Sequence, residues 1–123
     1  MVMGKHKGNA FELLIYKELR VHGHCKRTIG SGSSDEAGDI TFNHYSIECK
    51  HLKQVRWVML TKFWNKLKDE VTSWNKISKH KTEPVIIFRQ NREPIMVMCL
   101  MKCEGKIVRS ITSYNIWKQL IIK

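Results

Sequence analysis

The sequence predicts a single α/β domain, a sandwich in which helices flank a central mixed β-sheet. Three observations lead to this prediction. The length of 123 residues suits one compact domain. Segments with helical periodicity alternate with short apolar or alternating runs in the order helix, three strands, helix, two strands, helix. No linker or internal repeat divides the chain, so we expect one domain over residues 1–123.

The N-terminal half is predicted to form one helix and three strands. The first helix spans residues 8–22, where Phe11, Leu14, Ile15 and Leu19 recur at helical spacing, and Gly23 ends it. A short strand is expected at 25–29, followed by the loop GSGSSDEAG, whose glycines and serines permit unusual backbone conformations. The segments DITF and YSIECKHL alternate with period two and indicate a hairpin.

The C-terminal half is predicted to form a long helix, a second hairpin and a terminal helix. The long helix covers 57–79, and its apolar stripe is interpreted as core: Trp57, Leu60, Trp64, Leu67, Val71 and Trp74. The alternative for its tryptophans is stacking on a base or contact with a second copy. The runs PVIIFR and PIMVMCLM, separated by QNRE, predict the hairpin, and YNIWKQLII predicts the last helix.

Apolar side chains exceed what one helix stripe can bury. The excess comprises Trp57, Val58, Met59 and Phe63. The PIMVMCLM strand is also apolar on both faces. The sequence therefore predicts that part of this surface closes against a second copy of the chain, the alternative being burial within one monomer.

The charge of the chain points to an acidic partner. Lysine and arginine number 22 against 11 aspartate and glutamate, a formal net charge of +11. Nucleic acid is favoured over a membrane surface, because no lysine-rich amphipathic helix of the membrane-binding type is evident. The apolar runs are too short to cross a bilayer, and the N-terminus lacks a signal-peptide segment. We therefore expect a cytoplasmic protein.

Four cysteines are present without the CxxC spacing that would indicate zinc. We interpret them as reduced thiols, with Cys49 on the inner face of a strand.

The first hairpin gathers acidic and basic residues. Alternate strand residues share a face, so Glu48 and Lys50 lie together, and pairing with DITF brings Asp39 towards Glu48. Two adjacent carboxylates are costly without a cation, and Mg²⁺ prefers such oxygen ligands. Lys50 could orient a water and stabilise charge developing on a phosphate. This combination suits metal-assisted phosphodiester hydrolysis, whereas the simpler alternative is a solvated ion pair on a strand face.

A family resemblance rests on three segments: Glu12, Gly38-Asp39-Ile40 and Ile47-Glu48-Cys49-Lys50. Together with the loop RTIGSGSS they resemble the PD-(D/E)XK nucleases, and within them the small Holliday junction resolvases of archaea and their viruses, with similar short phage proteins. The resemblance covers nearly the whole chain and implies a restriction-endonuclease-like fold.

Site residues follow from the resemblance. It implies that Asp39, Glu48 and the Cys49 carbonyl bind Mg²⁺, with Mn²⁺ as a substitute, and that Lys50 positions the attacking water. Glu12 would be a further metal or water ligand, and Ser31 or Ser33 would contact the scissile phosphate or order its loop. The basic residues near the proposed cleft are expected to bind the DNA backbone: Lys5, Lys7, Lys26, Arg27, Lys53 and Arg56.

Three functions are compatible with these features. The first is a metal-dependent endonuclease that resolves four-way DNA junctions by paired symmetric nicks as a homodimer. The second is another PD-(D/E)XK nuclease, acting on flapped, nicked or single-stranded DNA in phage or viral replication. The third is a non-catalytic basic DNA-binding module.

Overall fold

A computed structural model describes residues 2–28 and 37–122, with the side chains of the first helix described from Gly8 onward. Three helices and six strands form the described part of the chain. In order they are α1 (Val2–Leu19), β1 (Cys25–Arg27), β2 (Ile40–Phe42), β3 (Tyr45–Leu52), α2 (Trp57–Ile77), β4 (Glu83–Gln90), β5 (Met96–Cys103), β6 (Lys106–Ser113) and α3 (Tyr114–Ile121).

The strands form one sheet in the order β1-β2-β3-β4-β5-β6. Four neighbouring pairs are antiparallel, and β3 and β4 are parallel, with Glu48 opposite Ile86 and Lys50 opposite Phe88. The parallel pair needs a crossover, and α2 provides it. The predicted mixed sheet is therefore confirmed.

Helices cover both faces of the sheet. On one face, α1 and α3 bury Phe11, Ile15, Leu19, Tyr114 and Trp117 against strand residues. On the opposite face, α2 buries a stripe with the spacing expected of an amphipathic helix: Leu60, Trp64, Leu67 and Val71. The result is a three-layer sandwich, as the sequence predicted.

Residues of β3 divide between these two cores. Ile47 and Cys49 are buried on the face of α1 and α3. Glu48 and Lys50 are partly buried on the other face, since their β4 partners Ile86 and Phe88 pack with α2. The alternation predicted for this strand is confirmed, and it places the charged pair under α2.

Several details differ from the sequence prediction. The first helix spans Val2–Leu19 rather than 8–22, the first strand ends at Arg27 rather than at 29, and the second helix ends at Ile77 rather than at 79. The strand β6 was not predicted. Most of its residues are exposed, so burial did not select the apolar pattern by which strands are recognised. Trp57, predicted to be core, is 58% exposed, because it starts α2 ahead of the buried stripe.

Of the apolar surface predicted to be in excess, the β5 part is buried within one monomer, whereas Trp57 and Val58 on α2 are exposed. Val97 and Cys99 are buried on the face of α1 and α3, and Met98 is buried on the face of α2. Both faces of β5 are thus covered within one monomer, because β5 is an interior strand with helices above and below.

No helix in the described ranges is long and apolar enough to cross a membrane.

Candidate active site

The turn before β2 fixes the position of Asp39. Gly38 has a φ of +76°, and a Cβ on this residue would lie 2.7 Å from the carbonyl oxygen of Ile47, so the position requires glycine. The Asp39 amide donates a 2.7 Å hydrogen bond to the same Ile47 oxygen, and the Asp39 carbonyl accepts one from the amide of Thr28. These contacts hold the Asp39 backbone beside β3.

The Asp39 side chain turns towards β3. Its Oδ2 accepts a 2.9 Å hydrogen bond from the backbone amide of Cys49. Because Cys49 follows Glu48, this bond brings the Asp39 carboxylate next to the Glu48 side chain. The convergence of the two carboxylates, predicted from strand alternation, is thus present in the structure.

The electrostatics of Glu48 reflect this proximity. Burial raises the pKa of Glu48 to about 8, and a hydrogen bond and repulsion from Asp39 contribute further. The positive charge of Lys50 opposes the increase, and Glu70 on α2 adds to it. A carboxyl in this position favours its protonated form unless a cation lies nearby.

Lys50 is held by an aromatic ring from α2. Its ammonium nitrogen lies 4.6 Å from the centroid of the Phe63 ring, which is cation–π geometry. The contact places the ammonium between β3 and α2, on the same face of the sheet as Glu48.

Glu12 reaches the site from α1 but has a partner of its own. Arg27 Nε donates a 2.9 Å hydrogen bond to Glu12 Oε2, and the Arg27 guanidinium also forms an ion pair with this oxygen. Burial raises the pKa of Glu12, Arg27 opposes the increase, and Asp39 adds to it. Asp39 therefore interacts with both Glu12 and Glu48.

The Cys49 side chain is part of the core rather than of the site. Its thiol is buried among residues that face α1, and burial raises its pKa well above the usual value, with the carboxylates of Asp39, Glu12 and Glu48 adding to this. The thiol therefore stays protonated. The hydrogen bond from Cys49 to the acidic residues comes from its backbone amide, which binds Asp39.

The arrangement fits a hard divalent cation. Within residues 8–28 and 37–122, whose side chains are described, no three side chains of His, Cys, Asp or Glu surround a common point. The Asp39 and Glu48 pair offers two neighbouring carboxylates that such a cation could share. A two-carboxylate site of this kind suits Mg²⁺, which keeps several waters and takes only one or two protein carboxylates.

The remaining predicted residues are distributed around this core. Lys26, Lys53 and Arg56 are exposed, and Arg27 is partly buried against Glu12. Ser31 and Ser33, like the side chains of Lys5 and Lys7, lie outside the described residues. The roles given to all of these residues stay predictions.

Sequence reasoning missed three contributors. The sequence analysis counts Phe63 among the excess apolar side chains and expects Arg27 to bind only the DNA backbone. It gives Glu70 no role. Phe63 and Glu70 lie seven residues apart on α2, the spacing of one helix face, and this was the available signal. Nothing in the sequence indicates that Arg27 pairs with Glu12, because that contact depends on how α1 packs against β1.

A family model described as "Phage putative PDDEXK endonuclease" matches residues 3–123. The chain belongs to this family. It is therefore a PD-(D/E)XK nuclease, and divalent metals are the general cofactors of such enzymes.

A 1.6 Å structure of the Holliday junction resolvase Hjc from Archaeoglobus fulgidus is similar over 89% of this chain and 89% of its own, with 16% sequence identity and a TM-score of 0.48. The comparison with curated proteins gave no significant match.

Proposed function

We propose that this nuclease is a Mg²⁺-dependent endonuclease that resolves four-way DNA junctions by paired symmetric nicks, acting as a homodimer. One observation supports the nuclease chemistry: Asp39, Glu48 and Lys50 converge at the hairpin of β2 and β3. The choice of junctions among DNA substrates follows from the sequence resemblance to small resolvases.

Each residue of the site has a part in this proposal. Asp39, Glu48 and the Cys49 carbonyl hold the metal, and Glu12 contributes a further ligand to the metal or to its water. When bound, the metal supplies Lewis acidity at the scissile phosphate. The Lys50 ammonium orients the attacking water and stabilises negative charge that develops on the phosphate oxygens.

Other residues would support this chemistry. Arg27 fixes the orientation of Glu12, and Phe63 fixes that of Lys50. Ser31 or Ser33 contacts the scissile phosphate. The basic residues named for the DNA backbone then supply affinity through phosphate contacts, which is consistent with the net charge of +11.

A surface for the second subunit is available at β6. This strand is at the edge of the sheet and pairs with β5 alone among the described strands. Its Ile107 is 73% exposed, and Val108 and Ile111 are also exposed. An exposed apolar edge strand invites pairing with another chain, so we assign the dimer contact to it.

Loss of any central residue should abolish cleavage while folding and DNA affinity persist. The variants are Asp39→Asn, Glu48→Gln and Lys50→Ala, with Asp69→Asn on the exposed surface of α2 as the control. Affinity should remain because it comes from many phosphate contacts. Nicking and gel-shift binding are measured for each purified variant. Cleavage at the wild-type rate in any of the first three would contradict the site assignment.

A substrate panel tests the choice of DNA. Cleavage of a synthetic four-way junction, a flap, a nicked duplex, a plain duplex and a single strand is compared with and without Mg²⁺. We expect the junction to be cut fastest. Faster cleavage of flapped, nicked or single-stranded DNA would favour the alternative nuclease activity, and binding without cleavage of any substrate would favour a non-catalytic DNA-binding module.

The dimer is tested separately. Sedimentation equilibrium at micromolar concentration should show a dimer without DNA, and Ile107→Lys should weaken it by placing like charges at the shared edge. A mixed dimer of wild type and Glu48→Gln should nick a cruciform plasmid without linearising it. A monomeric wild type, or full linearisation by the mixed dimer, would defeat the paired-site mechanism.

A further inference from the structure

An open groove of about 620 Å³ lies where β3 passes into α2. Its basic lining residues are Lys53, Arg56 and Lys62, and its apolar ones are Trp57, Val58 and Met59. No carboxylate is found among the described residues that line it. The volume falls in the range of small-ligand sites, and the charge selects an anionic ligand.

Trp57 gives the groove an exposed aromatic surface. The guanidinium of Arg109, from β6, lies 5.2 Å from the centroid of the Trp57 ring. The contact supports the indole from the side of the sheet. With Arg109 in place Trp57 is still 58% exposed, so the ring retains surface for a second stacking partner.

The groove begins one residue after β3, the strand that carries Glu48 and Lys50. The Lys50 ammonium contacts Phe63, which is the chain neighbour of the lining residue Lys62. From Glu48 to Leu52, the last residue of β3, the strand rises about 13 Å. A DNA strand cut at Glu48 would therefore reach the groove within a few nucleotides.

We propose that this groove binds an unpaired nucleotide of the DNA substrate. The base stacks on Trp57, and the adjoining phosphates lie against Lys53, Arg56 and Lys62. Aromatic stacking combined with a cationic path for the backbone is the general way in which proteins hold single-stranded nucleic acid. The inference rests on the proposed function and adds that a nucleotide whose base pair opens at the branch point of the junction is recognised.

A second copy of the chain fits this groove poorly. Two-fold pairing would bring the basic side chains of both copies together, and like charges in a shared interface are costly. The exposed aliphatic residues of β6 to which the dimer contact is assigned, Ile107, Val108 and Ile111, do not line the groove. Charge complementarity thus favours nucleic acid as the occupant.

The test compares Trp57→Ala with Ile77→Ala, a control at the other end of α2 where the side chain is 68% exposed. Binding of a short oligothymidine and of a fully paired duplex is measured by fluorescence anisotropy, in EDTA to prevent cleavage. Stacking contributes about 1–3 kcal/mol per base, so Trp57→Ala should weaken oligothymidine binding at least about fivefold. Duplex binding should change less than about twofold, and Trp57→Phe should retain most of the oligothymidine affinity.

Several results would overturn the inference. They are unchanged oligothymidine binding by Trp57→Ala, an equal loss on the duplex, and a change of Trp57→Ala from dimer to monomer in sedimentation. The last result would identify the groove as a contact between copies. Because binding is measured without cleavage, the test stands even if no DNA is cut, so failure of the inference is distinguishable from failure of the proposed function.

The cations of the groove give an independent readout. Lys62→Gln should lower the slope of log affinity against log salt by about one for oligothymidine, because one phosphate contact is lost. Lys79→Gln, an exposed lysine beyond the end of α2, is the control and should leave the slope unchanged. Equal slopes for wild type and Lys62→Gln would remove the phosphate path from the inference.

Discussion

Replacing Glu48 by glutamine should stabilise the metal-free protein at alkaline pH. The pKa of Glu48 is raised from 4.5 to about 8 by burial and by Asp39. In the unfolded chain the carboxyl ionises above pH 4.5 without this penalty. The folded protein therefore loses stability as the pH rises from about 4.5 to about 8, and glutamine, which does not ionise, abolishes the loss.

The size of the effect follows from the two pKa values. A pKa difference of one corresponds to about 1.4 kcal/mol, so the full change from 4.5 to about 8 sets an upper limit of about 5 kcal/mol. Water and side-chain relaxation around a partly buried group reduce this limit. We expect Glu48→Gln to gain about 1–3 kcal/mol at pH 8.5 and less than about 1 kcal/mol at pH 5.

The assay is urea unfolding in EDTA at the two pH values, followed by tryptophan fluorescence. Glu93→Gln, which removes an exposed carboxylate from the β4–β5 turn, is the matched control. It should show no pH-dependent gain. If Glu48→Gln and Glu93→Gln change stability alike at pH 5 and pH 8.5, burial and Asp39 do not raise the pKa of Glu48 and the reasoning fails.

Three further predictions concern the supporting residues. Phe63→Leu should slow cleavage about two- to fivefold, because the Lys50 ammonium loses a cation–π contact that contributes about 0.5–1 kcal/mol. In the same nicking assay Phe63→Tyr, which keeps an aromatic ring, should cleave at close to the wild-type rate. Arg27→Gln should lower the free energy of unfolding by about 1–2 kcal/mol at pH 7, because the partly buried Glu12 carboxylate loses its ion pair with Arg27. Urea unfolding at the wild-type midpoint would refute this. Deleting residues 1–7 should weaken binding to DNA of every shape and lower the slope of log affinity against log salt. An unchanged slope would show that this N-terminal segment does not touch DNA.

The sequence was most informative where periodicity and burial act together. The alternation of β3 predicted which residues face each core, and the stripe of α2 predicted its buried side chains from Leu60 to Val71. These patterns are reliable because removing apolar side chains from water selects them directly. The prediction failed at β6 and at Trp57, where the residues are exposed and this selection is absent.

The candidate site was predictable only as far as one hairpin reaches. Asp39, Glu48 and Lys50 lie within 12 consecutive residues, so strand geometry alone brings them together. Phe63 and Arg27 come from other elements and meet the site through helix packing. Their contacts are set by how α1 and α2 lie on the sheet, and short-range sequence patterns do not encode that arrangement.

The hairpin holds Glu48 where ionisation of its carboxyl is unfavourable. The proposed function gives a reason for this arrangement. Without a cation, Glu48 ionises only at the cost of burial and of repulsion by Asp39. The backbone contacts of Gly38 and Asp39 with β3 nevertheless fix the two carboxylates side by side. A divalent cation held there, as proposed, would offset this repulsion, and it would have to displace the proton that Glu48 carries below about pH 8. Under the proposed function, stability and metal binding therefore place opposite demands on Glu48, and a substitution that stabilises the metal-free fold there should remove the activity.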